Sequence, residues 1–293
     1  MTDLVLGTAQ FGQKYGVTND SDTYSDQDEL ENIIETFTAN GFSIIDTAQG
    51  YGESERMIGR SKKNNLKIST KIHLDHKLLY EKNYKEKIRA QLEISLNRLN
   101  QSEIFRLLIH TPGTMNKFEK KITELSKFLK DSLVIQEFGI SVYSTSEIRS
   151  GMEYIDVVQF PINFFDRRFA EYFENIDTNF KKQARSIFLQ GLLISDFEGL
   201  PNKFKKYEAL HDFHKILQNK YERLSFNISF ALESDCDEFI VGVSSNEELQ
   251  EILGCFDKKY TKDQEVLLAE IFSDFEANNN NKKLIDPRLW ETL

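Results

Sequence analysis

Short apolar runs alternate with longer amphipathic stretches along this chain. Each run has three to five residues, as expected of a buried strand, and each longer stretch carries apolar residues three or four positions apart, as on one face of a helix. The predicted strands are 4–8, 43–46, 66–70, 105–109, 138–142, 157–160, 186–188 and 239–241. This alternation predicts parallel strands joined by crossover helices.

The amphipathic stretches predict helices between these strands. In the first of them, Leu30, Ile33 and Phe37 share one face, and Ser25 with Asp28 predicts a capping box at its start. The predicted helices begin near 26 and near 53, cover 88–99 and 118–129, lie near 146, and cover 168–181, 204–219, 224–233 and 247–255. Two of them fall between the seventh and eighth strands, which predicts an insertion there.

Eight strand–helix units predict an α/β protein with a single (β/α)8 TIM barrel over residues 1–293. A doubly wound open sheet is the alternative, because it has the same alternation of elements. The run of asparagines and lysines at 278–283 is typical of a mobile link, so residues 276–293 are interpreted as a polar C-terminal tail.

Composition narrows the classes of function. The net charge of −10 argues against binding to nucleic acid or to an anionic membrane, since both favour a basic surface. No apolar run approaches the roughly 18 residues of a membrane-spanning helix, and the first residues lack the features of a signal peptide. We therefore expect a cytoplasmic protein whose two cysteines are reduced thiols.

Polar side chains stand where several predicted strands end, and in a barrel these ends meet at one face. The residues in these positions are Thr8, Asp46, Tyr51, Lys71, His110, Ser141, Gln159 and Ser186. Each of them alone has an ordinary structural explanation, such as a rim ion pair or a buried histidine. A carboxylate, an ammonium, an imidazole and a phenol together favour an active site at Asp46, Lys71, His110 and Tyr51.

The segment 46–55, D-T-A-Q-G-Y-G-E-S-E, resembles the D-T-A-x-x-Y-G-x-S-E signature of the aldo/keto reductases. Further matches lie, in the family's order, at 6–12, 69–71, 107–110, 139–141, 157–159, 190–193 and 241–245. The resemblance covers nearly the whole chain. It implies a barrel that binds NADP(H) or NAD(H) and reduces an aldehyde or ketone by hydride transfer.

The resemblance also implies catalytic roles that agree with the chemistry of the residues. A carbonyl that accepts hydride develops negative charge on its oxygen, and Tyr51 would donate a proton to it. Lys71 would lower the pKa of that phenol, and Asp46 would keep Lys71 charged. His110 would hydrogen-bond the carbonyl oxygen and orient it.

For the cofactor, the resemblance implies contacts from strand ends and the loops after them. The implied residues are Gly7, Thr8, Ala9, Asp46, Ser141, Gln159, Arg185, Ser186, Phe188, Leu189, Gly191, Val243, Ser244, Ser245 and Glu251. NADP(H) follows from the family. NAD(H) stays open, because Gly242 and Glu248 occupy positions where the family places cations against the 2′-phosphate. Arg185 stands where many members stack an aromatic ring on the nicotinamide.

Two other kinds of function stay open at this stage. One is a non-catalytic or regulatory binding protein on the same fold, and the other is an epimerase or lyase that uses Tyr51 and Lys71 for proton transfer. The expected partner is a small carbonyl compound, with a sugar as one example, and the oligomeric state stays open. No metal is expected, because His73 with His76, and His211 with His214, lack a third ligand of clear geometry.

Overall fold

Eight parallel strands close into a barrel in the part of the chain that the computed structural model describes, residues 2–17, 26–62, 66–110, 113, 115–149, 152–256 and 261–292. The strands are β1 Asp3–Gly7, β2 Ile44–Asp46, β3 Lys67–His73, β4 Ile104–His110, β5 Ile135–Ser141, β6 Val157–Pro161, β7 Lys181–Arg185 and β8 Glu238–Gly242. Each strand pairs with the next one, and β8 pairs with β1. The (β/α)8 barrel is confirmed, and the alternative of an open sheet is wrong.

Helices connect the strands on the outside of the barrel. They are α1 Ala9–Gly12, α2 Gln27–Ala39, α3 Ser54–Arg60, α4 Tyr84–Leu99, α5 Glu119–Asp131, α6 Arg168–Phe173, α7 Asn202–Lys205, α8 Glu208–Ile216, α9 Lys220–Glu233, α10 Asn246–Leu253 and α11 Lys262–Ala277. Among the helices described, none is both long enough and apolar enough to cross a membrane.

The helix α2 illustrates how the sequence pattern produces these elements. Its predicted apolar face is fully buried against the barrel, and the Asp26 side chain caps its first turn by accepting a hydrogen bond from Glu29 N at 2.8 Å. The capping box was predicted one residue earlier, at Ser25 with Asp28; the N-cap in the structure is Asp26, and Ser25 lies outside the described residues. Burial of the face and capping together fix where this helix begins and which side it presents.

The seventh strand is not where the apolar pattern placed it. It covers Lys181–Arg185, whereas the predicted run 186–188 forms a turn after the strand, with Ser186 at a φ of 61°. This strand can be polar because its interior residue, Gln183, has polar partners there: it hydrogen-bonds Gln159 and Glu238. The prediction near 146 was also wrong, because only a short 3-10 turn, Thr145–Glu147, forms there.

The barrel interior contains a buried ionic network towards the N-terminal ends of the strands. Arg106 is fully buried, and its two terminal nitrogens donate to the Glu238 carboxylate at 2.6 and 2.8 Å. Its Nε donates to Glu137 at 2.8 Å. Gln183 Nε2 donates to Glu238 at 2.5 Å, which joins this network to the residues at the opposite end of the barrel.

The C-terminal segment packs against a second apolar cluster outside the barrel. The sequence predicted a mobile link and a polar tail over 276–293, but Leu284 and Trp290 within it are buried. Trp290 donates to Leu284 O at 2.9 Å, and its ring lies 4.8 Å from that of Phe204. The partly buried Ile285 packs against the same cluster. The helix α11, which the sequence reading missed, contributes to the same cluster.

Candidate active site

A cavity of about 500 Å³ opens at the C-terminal ends of the strands. The predicted site residues that line it are Gly7, Thr8, Ala9, Asp46, Tyr51, Gln159, Arg185, Ser186, Phe188, Gly191, Ser244 and Glu251. The other predicted residues lie outside this lining: Lys71, His110, Ser141, Leu189, Val243 and Ser245. Of these, Lys71, Ser141, Leu189 and Val243 are buried. A cavity of this size is typical of small-molecule and cofactor sites.

Lys71 and Asp46 form a buried ion pair on neighbouring strands. Lys71 is about 1% exposed; its Nζ donates to Asp46 Oδ2, and to Thr47 O at 3.0 Å. Burial lowers the pKa of Lys71 from its ordinary value, whereas the adjacent Asp46 carboxylate opposes that shift. The pair therefore keeps a positive charge beneath the cavity, and this charge is shielded from solvent.

A hydrogen-bonded chain continues from Asp46 through the amide of Gln159. Gln159 Nε2 donates to Asp46 Oδ1 at 2.9 Å and to Gln183 Oε1 at 2.8 Å, so both of its amide hydrogens have partners. Its oxygen accepts from Ser141 Oγ at 2.8 Å. Gln159 therefore keeps acceptor capacity on its oxygen, which suits a ligand that donates an N–H group.

Tyr51 is held above this pair by a tight turn. Its backbone N–H donates to Ala48 O, and its carbonyl accepts from Ser54 N, both at 3.0 Å. A Cβ at Gly12 would lie 1.6 Å from the Tyr51 carbonyl oxygen, so this close approach requires glycine. The Tyr51 ring centroid lies 5.1 Å from Lys71 Nζ.

Burial raises the pKa of the Tyr51 hydroxyl above its ordinary value, and the Asp46 carboxylate raises it further. The guanidinium of Arg185 acts in the opposite direction. Lys71 was expected to lower this pKa, but the dominant influence in the structure is desolvation, which raises it. Tyr51 is thus a phenol that keeps its proton until a strong base forms beside it.

His110 completes the cluster at the end of β4. Its ring lies edge-on to that of Tyr51, with centroids 6.3 Å apart. Desolvation, together with the positive charges of Lys71 and Arg185, lowers the pKa of His110 to about 3. The imidazole is therefore neutral near neutral pH and offers one N–H donor.

This neutral state predicts that His110 will not titrate between about pH 5 and pH 8. Protonation would place a cation beside Lys71 and Arg185, so it is disfavoured until the pH falls towards 3. The measurement is an NMR titration of the imidazole resonances, assigned by comparison with His110→Gln. A midpoint inside that interval that disappears in the variant would contradict the assignment.

Three aromatic and basic residues at the site were missed by the sequence reading. Tyr15 lines the cavity. The guanidinium groups of Arg185 and Arg288 each lie 4.1 Å from the centroid of the Tyr143 ring. Tyr143 comes two residues after the end of β5, so the strand-end argument could have found it. No local sequence signal places Arg288, which is far along the chain, beside it.

At another side of the cavity, residues after β8 surround the start of α10. Ser245 caps this helix by accepting from Glu248 N at 3.2 Å. The Glu248 carboxylate accepts from Ser244 N at 2.7 Å, and Glu251 pairs with Lys220 Nζ at 2.6 Å. These contacts bring together Ser244, Ser245, Glu248 and Glu251. The sequence resemblance placed all four beside the adenosine part of the dinucleotide.

Two arginines that follow β6 have structural partners, and the acidic and histidine side chains form no metal site in the part of the chain that the structure describes. Within the described ranges, no group of three or more histidine, cysteine or acidic side chains is placed to hold a metal ion. The Arg167 guanidinium lies 3.6 Å from the ring centroid of Phe272, and Arg168 pairs with Asp166 at 2.9 Å.

Comparison with known proteins identifies relatives of this chain. The sequence profile described as the aldo/keto reductase family matches residues 3–271. A glycerol dehydrogenase from Gluconobacter oxydans superposes with a TM-score of 0.68 and 23% identity, over 97% of this chain and 94% of that one. An aldo-keto reductase from Bacillus halodurans, in a holo form, gives 0.70 and 18%, over 92% and 91%. No curated protein sequence matches.

Proposed function

The chain belongs to the aldo/keto reductase family, and on that premise we propose that it reduces an aldehyde or ketone with NAD(P)H, with Tyr51 as the proton donor. The family points to NAD(P)H-dependent carbonyl oxidoreduction in general. The observation that carries the finer proposal is a cluster of four side chains: Tyr51 and Asp46 line the cavity, Lys71 pairs with Asp46 beneath it, and His110 lies edge-on to Tyr51.

The residues around the cavity suit a nicotinamide dinucleotide. Ser141 and Gln159 would hold the carboxamide, since the Gln159 oxygen has acceptor capacity left. The loop after β7 would hold the diphosphate through its backbone. Ser186, Leu189 and Gln190 in that loop have positive φ values of 61°, 48° and 55°, which is rare for residues other than glycine and is found at ligand-binding turns.

When bound, the dinucleotide supplies the hydride to the carbonyl carbon. Tyr51 then transfers its proton to the carbonyl oxygen, which has become an alkoxide and is a stronger base than phenoxide. The neutral His110 donates a hydrogen bond to the same oxygen and fixes its position. Lys71, held by Asp46, stabilises the phenoxide that Tyr51 leaves, because its ammonium lies near the ring.

The substrate that suits this site is a small polar carbonyl compound, with a sugar as one example. Tyr15 and Arg185 line the cavity beside Tyr51 and offer hydroxyl and guanidinium groups to a polar substrate. Arg185 is held by Val142 O at 2.9 Å and Ser186 Oγ at 3.2 Å, so its position is fixed before a ligand enters.

Turnover with a panel of aliphatic, aromatic and hydroxylated aldehydes and ketones, followed by loss of NADPH or NADH absorbance, tests the proposal. Reduction of at least one class is expected. Dinucleotide binding without any turnover would favour a regulatory protein instead. Exchange of substrate protons with solvent, in the absence of dinucleotide, would favour an epimerase or lyase.

Lys71→Met is expected to lower turnover by about tenfold or more, because one pKa unit of lost stabilisation of the phenoxide corresponds to about tenfold. The pH–rate profile should also change on its alkaline side. Lys67→Met is the matched control, since Lys67 lies at the exposed start of the same strand. An unchanged profile in Lys71→Met would remove Lys71 from the proposed mechanism.

A further inference from the structure

The start of α10 is already occupied by carboxylates of this chain. Asn246 N donates to Glu29 Oε1 of α2 at 2.5 Å. Ser244 N and Ser244 Oγ donate to Glu248 Oε2 at 2.7 and 2.9 Å. A helix N-terminus next to a ligand cavity commonly binds phosphate, but here two glutamates take two of the backbone donors that a phosphate could use, Ser244 N and Asn246 N.

Lys220, a cation on this side of the cavity, already has an acidic partner as well. Lys220 lines the cavity, but its Nζ pairs with Glu251 at 2.6 Å. Glu248 and Glu251, which also line the cavity, add negative charge there. A phosphate monoester entering this part of the described structure would meet carboxylates before it met a free cation.

Two acceptor oxygens nearby lack hydrogen-bond donors among the described residues. Gln10 Oε1 and Asn246 Oδ1 are both buried and unpaired, and Gln10 lines the cavity. A Cβ at Gly242 would lie 2.3 Å from Gln10 Oε1, so the Gln10 amide fills the place where a side chain at 242 would begin. Buried acceptors without donors favour a ligand that brings hydroxyl groups.

We propose that this end of the cavity selects an adenosine ribose with free 2′- and 3′-hydroxyls, so that the protein binds NAD(H) in preference to NADP(H), and that Glu29 is a specificity-determining residue. This inference rests on the proposed function, because it concerns the cofactor of the same site. Hydroxyl groups can donate to carboxylate and amide oxygens, whereas a 2′-phosphate has no donor to offer when ionised. Glu29, on α2, acts in two ways. It accepts the hydrogen bond from Asn246 N, and its negative charge repels a 2′-phosphate.

Equilibrium titrations of NADH and NADPH by calorimetry, at fixed low ionic strength, test the inference without any turnover. Wild type is expected to bind NADH at least tenfold more tightly, since one charge-assisted contact corresponds to roughly tenfold or more in affinity. Glu29→Gln should tighten NADPH by about tenfold and leave NADH within about twofold. Asp28→Asn, which removes a charge from the exposed side of the same helix, should change neither.

Glu248→Arg gives a second test that does not depend on Glu29. It should tighten NADPH by about tenfold or more, and high salt should weaken that gain. Tighter binding of NADPH than of NADH by wild type, or an unchanged preference in both variants, overturns the inference and leaves the proposed function standing. Failure of both dinucleotides to bind overturns the proposed function and the inference together.

Discussion

Tyr51→Phe is expected to lower carbonyl turnover by about 10²- to 10⁴-fold, the range that a positioned general acid contributes. The substitution removes only the hydroxyl that donates the proton, and the ring can keep its edge contact with His110 and its place over Lys71. Dinucleotide affinity should therefore stay within about twofold. The loss should appear in kcat rather than in KM, because the hydroxyl acts mainly as the oxygen gains charge.

The control is another tyrosine of the same cavity. Tyr15→Phe also deletes one hydroxyl of the cavity lining, but the proposal gives Tyr15 no proton to transfer, so turnover should fall by less than about tenfold. Steady-state kinetics of the two variants, with dinucleotide titrations beside them, make the comparison. If Tyr51→Phe retains turnover close to wild type, another group must protonate the alkoxide.

Arg106→Met is expected to destabilise the protein by about 3–5 kcal/mol, the usual result of removing one partner of a buried ion pair. The variant leaves Glu238, about 4% exposed, as a buried carboxylate without its bidentate partner. The measurement is urea unfolding, in which the midpoint should fall while the slope stays the same. We expect an effect on stability rather than on ligand binding, since Arg106 lies nearer the N-terminal ends of the strands than the residues that line the cavity.

Two further variants show whether the loss comes from the unpaired charge. Adding Glu238→Gln to Arg106→Met should recover part of the stability, because the second change removes the stranded carboxylate. Arg89→Met breaks an exposed pair with Glu93 on α4 and should cost less than about 1 kcal/mol. Equal losses from Arg106→Met and Arg89→Met would mean that the interior network does not stabilise the fold.

The sequence was most informative where strands are apolar and end in polar residues. Asp46 and His110 end β2 and β4 in the structure, and Lys71 lies within β3, so the strand-end argument brought the cluster together. The end of β7 was predicted in the wrong place, because that strand begins with two lysines and its Gln183 side chain bonds polar partners in the barrel interior. A polar strand that is stabilised by partners far along the chain leaves no local apolar signal.

Long-range contacts also explain what the sequence could not predict about the site. The influence of burial on the pKa of Tyr51 depends on how the loops enclose it, which residue spacing does not reveal. Arg288 lies beside Tyr143 in a C-terminal segment whose Leu284 and Trp290 are buried in the second apolar cluster. Glu29 meets Asn246 from a helix more than two hundred residues earlier.

The most direct test of the central claim is transfer of deuterium from dinucleotide labelled at the nicotinamide C4 position, in either configuration, to a carbonyl substrate. The account predicts that mass spectrometry will find one deuterium on the carbinol carbon of the alcohol with one of the two labelled forms. It also predicts that Tyr51→Phe will form this product at least about a hundredfold more slowly. Product without deuterium from either form, or labelled product formed equally fast by Tyr51→Phe, would contradict it.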